Sequence, residues 1–199
     1  MSNQALQVLS KRRTQYALGR NVQASKEEIT WLIQEAIRQA PSSFNSQSSR
    51  AVLLFGEQSE RFWSLTKEAL RAMVPADQFA STEAKMDSFA AGIGTVLFYE
   101  DQDVIKGLQQ GFPLYADAFP MFSAHSAGMA QYAVWAALAD IGIGASLQHY
   151  NQVIEAQAAK AWNVPASWAI TAQMPFGSNE APIGEKSFID DATRFIVAG

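Results

Sequence analysis

The sequence predicts an α+β domain, on three observations. Amphipathic helical stretches precede, separate and follow the candidate strands, without strict β–α–β alternation. Three short runs, 51–55, 95–99 and 168–174, are apolar, β-branched or aromatic, as buried strands are. The 199 residues suit one domain spanning 1–199, large enough to bury roughly 70% of its unfolded surface without a disulfide or metal staple.

Taken in order, residues 3–11 form a short helix that leads into the basic cluster Lys11, Arg12 and Arg13. The next helix opens on Ser25 and Glu28, which make a capping box. Ile29, Leu32, Ile33, Ala36, Ile37 and Ala40 then follow helical spacing on one face. Pro41 stops this helix, because proline disfavours the helical conformation of the residue before it. A polar loop, 41–50, precedes the strand at 51–55. Helices are expected at 58–73 and 76–91. Gly92 and Gly94 end the second one before the strand at 95–99.

Residues 107–122 read as an aromatic-rich loop with a helical turn, carrying Phe112, Tyr115, Phe119 and Phe122. A long helix follows at 123–141, with Ser123 as its cap. Its apolar residues do not keep to one stripe, so it must be covered on more than one side; a second subunit is an economical cover. Gly142 and Gly144 end it. Asn151 caps a helix to about Trp162, and Pro165 precedes the strand at 168–174. The segment 193–197 reads as a fourth strand.

The totals exclude several functions. The net charge is −4 and no long basic stretch occurs, which argues against nucleic acid as a partner. The absence of cysteine removes disulfides, thiolate catalysis and cysteine-ligated metals. No signal peptide and no apolar run long enough to span a membrane is read, so a cytoplasmic protein with no membrane partner is expected. Charged residues make up 17%, below the usual value of about 25%, which fits a buried subunit interface. His125 and His149 sit in no metal-binding pattern, and no metal is expected. No G-x-G-x-x-G, P-loop or G-x-S-x-G motif is present.

Four segments can carry chemistry. Arg12, Arg13 and Thr14 offer two guanidinium forks and a hydroxyl, a set that matches a phosphate dianion; a solvated helix end has the same composition. Pro41, Ser42, Ser43, Phe44, Asn45, Ser46, Gln47 and Ser48 supply hydroxyls and carboxamides that read a polar heterocycle edge without charge, or simply connect two elements. Gly144 to Tyr150, including Leu147, Gln148 and His149, lets backbone approach a flat ring, or ends a helix. Lys186 is either a second phosphate cation or ordinary surface.

Together these pieces resemble the nitroreductase family of FMN-dependent oxidoreductases. The resemblance rests on RRT near the N-terminus, then APSSFNSQ, GTVLFYED, GIGASLQHYN and PFG…GEK. It covers nearly the whole chain and is closest to the short subgroup labelled fatty-acid repression mutant protein. It implies a nitroreductase-like fold with a central mixed or antiparallel sheet flanked by helices. It further implies a homodimer with a swapped C-terminal segment, in which 193–197 joins the partner's sheet and 123–141 lies at the interface.

The resemblance also implies FMN as cofactor, with Arg12, Arg13, Thr14 and Lys186 on the phosphate. Pro41, Ser42, Ser43, Asn45, Gln47, Leu147, Gln148 and His149 would lie around the ring, Ser42 and Ser43 from the other chain. The implied activity is ping-pong transfer of two electrons from NADH or NADPH to a nitroaromatic or quinone acceptor. No side chain is assigned as a catalytic acid or base. The alternative is a flavin-binding regulator or storage protein with little turnover. One departure stands out: larger members carry additional lysines near the ring that have no clear equivalent here.

Overall fold

The computed structural model describes residues 3–199. Its strands are β1 (Leu18–Gly19), β2 (Ser49–Phe55), β3 (Gly94–Asp101), β4 (Gly144–Ala145) and β5 (Trp168–Asn179). They form one sheet in the order β1-β5-β3-β2, with β4 also on β5. Every ladder is antiparallel. One parallel bridge, between Thr14 and Ala145, joins the segment after the first helix to the sheet.

The helices are α1 (Gln4–Lys11), α2 (Lys26–Gln39), α3 (Glu57–Arg71), α4 (Phe79–Ala90), α5 (Gln102–Gly111), α6 (Phe119–Asp140), α7 (Asn151–Trp162) and α8 (Asp191–Arg194). Strand β3 shows why the domain has three layers. Side chains alternate between faces of a strand. Leu97 and Tyr99 pack with Phe62, Trp63, Phe89 and Ile154 on one side. Val96 and Phe98 pack with Ile29, Ile33, Val134 and Leu138 on the other. Both faces are covered by helices, so the strand is apolar without alternation. Thr95, near its start, is one polar exception, and its hydroxyl meets Ser59 Oγ at 2.7 Å and accepts from Trp63 Nε1 at 2.8 Å.

The α2 capping box is present. Glu28 N–H donates to Ser25 Oγ at 3.2 Å, and Ser25 N–H donates to Glu28 Oε2 at 2.7 Å. The bond from the Ser25 backbone, then that of its side chain, holds the exposed Glu28 carboxyl below its ordinary value. A carboxylate depressed in the folded state stabilises above its unfolded pKa, and that contribution is lost as pH falls through the folded one. Replacing Ser25 with alanine should cost about 1 kcal/mol, a fall in Tm of roughly 2–4 °C by calorimetry at neutral pH.

Four expected features differ. Residues 107–122 are not mainly loop: α5 runs to Gly111, and a 3₁₀ turn spans Pro113–Ala118. Helix α6 starts at Phe119, with Pro120 in its first turn, where a missing N–H costs nothing. Ser123 therefore lies inside the helix and donates to Glu100 Oε2 at 2.7 Å, rather than capping it. Tyr150, not Asn151, occupies the α7 cap position. The Asn151 carboxamide instead crosses to β5, donating to Thr171 O at 2.9 Å and accepting from Gln173 Nε2 at 2.6 Å.

The fourth difference is at the C-terminus. The expected strand at 193–197 is the end of the short helix α8 and an extended tail. Phe195 N–H returns to Asp191 O at 2.9 Å as a helix end, which leaves Ile196 and Val197 each 96% exposed. The apolar pattern is real, but it faces no strand of its own chain. Among the described residues, no helix is long and apolar enough to cross a membrane.

Candidate functional site

Helix α1 delivers the basic cluster to a cavity of about 570 Å³. Arg12, Arg13 and Lys186 line it together, with Leu9, Tyr132, Glu185 and Phe188 around them. Three basic groups face one carboxylate among these lining residues, so the cavity suits an anion. Arg13 Nη2 donates to Gly184 O at 2.5 Å, which ties the 184–186 segment to the end of α1. Lys186 Nζ lies 5.1 Å from the centroid of the Phe188 ring.

Arg12 is held differently. Its guanidinium lies 4.4 Å from the centroid of the Trp135 ring and 5.8 Å from that of Tyr132, both on α6. Such cation–π contacts fix an arginine without using its hydrogen bonds. Arg12 Nε and Trp135 Nε1 are buried without a hydrogen-bond partner. Buried donors are nearly always satisfied, so a donor set left open here fits an acceptor-rich group.

Thr14 is exposed and forms the parallel bridge to Ala145. Next to it, Gln15 N–H donates to Ala145 O at 3.0 Å. This brings the basic cluster beside the segment that continues to Leu147, Gln148 and His149. Gln148 exchanges backbone bonds with Gln173, at 2.7 and 2.9 Å. Its buried carboxamide donates to Ser146 Oγ at 3.0 Å. Leu147 packs on the α2 side of the core, and His149 is exposed. Burial first, then the nearby Tyr16, raises the Tyr150 phenol, which stays protonated at neutral pH.

Within this chain Gly144 is approached by side chains of its own fold. A Cβ on Gly144 would stand 2.5 Å from Asn179 Oδ1 and 2.9 Å from Gln15 Cγ. A side chain there would have to displace the Asn179 and Gln15 side chains.

The polar loop is a tight structure, not a slack connector. Ser43–Asn45 forms a 3₁₀ turn, and Phe44, Asn45 and Gln47 have φ of 57, 50 and 49°. Left-handed backbone is uncommon outside glycine and marks strain for bulky residues. Gln47 N–H donates to Ser42 Oγ at 2.9 Å, and Ser43 N–H donates to Ser126 Oγ on α6 at 3.2 Å. The Phe44 ring packs at 4.8 Å from Phe112, 5.3 Å from Phe119 and 6.4 Å from Tyr115, centroid to centroid.

Pro41, Ser42 and Gln47 line a second cavity, about 200 Å³, with Arg38 and Arg50. It shares no lining residue with the first. The loop meets α6 at Ser126, whereas Arg12 meets it at Tyr132 and Trp135. Six to nine residues of helix put about 9–14 Å between them. One chain thus assembles the basic cluster and the polar loop as separate places.

Sequence reasoning missed the aromatic pair beneath Arg12. Tyr132 and Trp135 stand three residues apart after a basic segment, which is a usable signal only once α1 is known to cross α6. It also missed Glu100, buried beneath the loop with three serine hydroxyls on it.

Comparison with known proteins bears on all of this. The model of the Nitroreductase family matches residues 9–178. Nitroreductase CinD from Lactococcus lactis, solved in complex with nicotinic acid, is 48% identical and superposes with a TM-score of 0.92. The match covers 98% of this chain and 100% of CinD. The same protein has been solved with 4-nitrophenol. HBN1 of Saccharomyces cerevisiae is 39% identical over 186 residues, 92% of each chain. In fold alone, a nitroreductase with bound FMN from Desulfitobacterium hafniense matches with a TM-score of 0.71 at 16% identity, over 100% of both chains.

Proposed function

This chain belongs to the nitroreductase family, a family of oxidoreductases, and from that premise we propose that it binds FMN and moves two electrons from NADH or NADPH to a nitroaromatic or quinone-type acceptor. The observation that carries this reading is the cavity where Arg12, Arg13 and Lys186 converge, with Arg12 Nε buried and unpartnered. That donor set fits a phosphate monoester. CinD's complex with 4-nitrophenol supports the acceptor class.

When bound, FMN would supply a two-electron carrier between the reduced nicotinamide and the acceptor. The chain's own residues bind and orient it. Arg12, Arg13, Thr14 and Lys186 hold the phosphate. The Asn45 and Gln47 carboxamides read the polar edge of the ring, and Pro41, Ser42 and Ser43 flank it with Phe44. The segment Leu147, Gln148 and His149 would lie beside the ring; the Gln148 N–H is already given to Gln173 O, which leaves Leu147 and His149 as its candidate backbone donors. Phe112 and Tyr115 border the opening where a flat acceptor enters.

The separation of the two cavities within one chain supports a homodimer in which each site draws its polar loop from the second copy. Helix α6 carries a face suited to this. Met121, His125, Gly128, Met129 and Tyr132 are exposed at helical spacing, an apolar stripe with a single histidine. The bare tail at 195–197 supports an exchanged C-terminal segment.

The decisive experiment is an absorbance spectrum of purified protein, followed by anaerobic titration with NADH or NADPH. A yellow protein bleached by reductant and recoloured by 4-nitrophenol or a quinone is expected. A colourless protein that takes up no added FMN overturns the proposal. Tight FMN binding with no turnover across many acceptors favours the regulator or storage reading instead.

A further inference from the structure

We propose that Glu100 is a positioning residue that clamps the polar loop in its ring-binding shape; this rests on the reading of Asn45 and Gln47 as ring contacts. Glu100 stands near the end of β3 and is 3% exposed. Its Oε2 accepts from Ser48 Oγ at 2.5 Å and from Ser123 Oγ at 2.7 Å, and its Oε1 accepts from Ser49 Oγ at 2.5 Å. It makes no ion pair with any described residue. Arg50, which lies opposite Tyr99 in the β2–β3 ladder, pairs instead with Asp101 at 3.1 Å.

A buried carboxylate without a cation is costly, and hydroxyl donors offset that cost. If the position served only packing, an apolar residue would fill it more cheaply. What the carboxylate achieves is a join between three elements. Ser48 and Ser49 belong to the exit of the loop and the start of β2, Ser123 to α6, and Glu100 to β3. The backbone reinforces the join, since Asp101 N–H donates to Ser48 O at 3.0 Å.

The other end of the loop is tied one helical turn away. Ser43 N–H reaches Ser126 Oγ, and Ser123 and Ser126 are neighbours on one face at i, i+3. Between these two anchors lie Phe44, Asn45 and Gln47, all left-handed. Such backbone persists only when its surroundings over-determine it. Asparagine tolerates it, but phenylalanine and glutamine do not do so readily. The Glu100 clamp supplies the constraint from the exit side.

The test uses full-length protein, first stripped of flavin and then titrated with FMN. Amide hydrogen exchange is measured for residues 43–47 and for β3 and β5 as internal controls. Glu100→Gln replaces one acceptor oxygen with an NH2 donor, so the hydroxyl facing it must turn to accept and the three-way join is weakened. The expected result is faster exchange confined to the loop and an FMN affinity lower by about tenfold, the loss of roughly one hydrogen bond. Ser123→Ala, which removes one donor and keeps the charge, should move both readouts in the same direction by less.

Should Glu100→Gln fail to fold, Ser123→Ala and Ser48→Ala carry the test. Loop exchange and FMN affinity both unchanged in folded variants overturn the proposal, as does acceleration spread evenly over the sheet controls. A wild-type protein that binds no FMN sinks the cofactor reading, whereas the loop exchange still decides the clamp.

Discussion

Replacing Arg13 with alanine lowers the affinity for FMN by about 10- to 100-fold and leaves the fold intact. The loss follows from the kind of bond removed. A hydrogen bond to a charged group contributes about 1.5–3 kcal/mol, and each 1.4 kcal/mol is about tenfold in Kd. Within the chain, Arg13 gives up one bond, to Gly184 O, at a half-exposed position. Little stability should be lost.

Arg12 is the instructive contrast. Its alanine variant should weaken FMN binding similarly, but it also strips a guanidinium from Trp135 and Tyr132. That contact contributes about 0.5–2 kcal/mol, so this variant alone should also melt earlier. Fluorescence titration of stripped protein with FMN measures the affinities, and scanning calorimetry separates the two variants. Raising ionic strength should weaken wild-type binding more than Arg13→Ala binding, since screening acts on charges the variant lacks. Both variants holding FMN as tightly as wild type would remove the phosphate assignment.

How much of this was readable beforehand depended on whether a signal was local. The α2 capping box is written in four consecutive residues, and the geometry matches it. The three main strands were legible as apolar, β-branched or aromatic runs, with β3 buried on both faces, though β5 extends to Asn179, beyond the expected 174. Helix α6 was started late because Ser123 looks like a cap. Its hydroxyl faces a carboxylate 23 residues away in sequence, and only the sheet brings them together. Pro120 was the better local clue.

The site divides the same way. The residue types at Arg12, Arg13 and Lys186 were legible, and they do share one cavity. The stacking of Arg12 on Trp135 was not legible, because it depends on α1 crossing α6. Gly144 is a related case: a close approach is visible in sequence, but what approaches is not. Here the partner is Asn179. At 193–197 the apolar pattern suggested a strand, while in this chain the segment is a helix end and a tail that pairs with no strand.

Replacing Gly128 with arginine should split the protein into monomers and abolish stable FMN binding at micromolar protein. The two candidate states of the chain respond oppositely, which makes the substitution informative. In a single chain, a Cβ at Gly128 meets nothing within 4 Å. The new side chain would extend into solvent, and a helix-interior glycine would be replaced by a good helix former, a gain of about 1 kcal/mol or less. A monomer would therefore tolerate or welcome the change. In a dimer closed on the stripe Met121, His125, Gly128, Met129 and Tyr132, the same residue inserts a long charged group where two helices meet. A buried guanidinium without a partner costs several kcal/mol, and twofold symmetry buries two of them per dimer. Sedimentation velocity gives the mass and the flavin absorbance reports co-migration. A dimer that persists with flavin bound would move the interface off α6, and with it the source of Ser42 and Ser43 at each site.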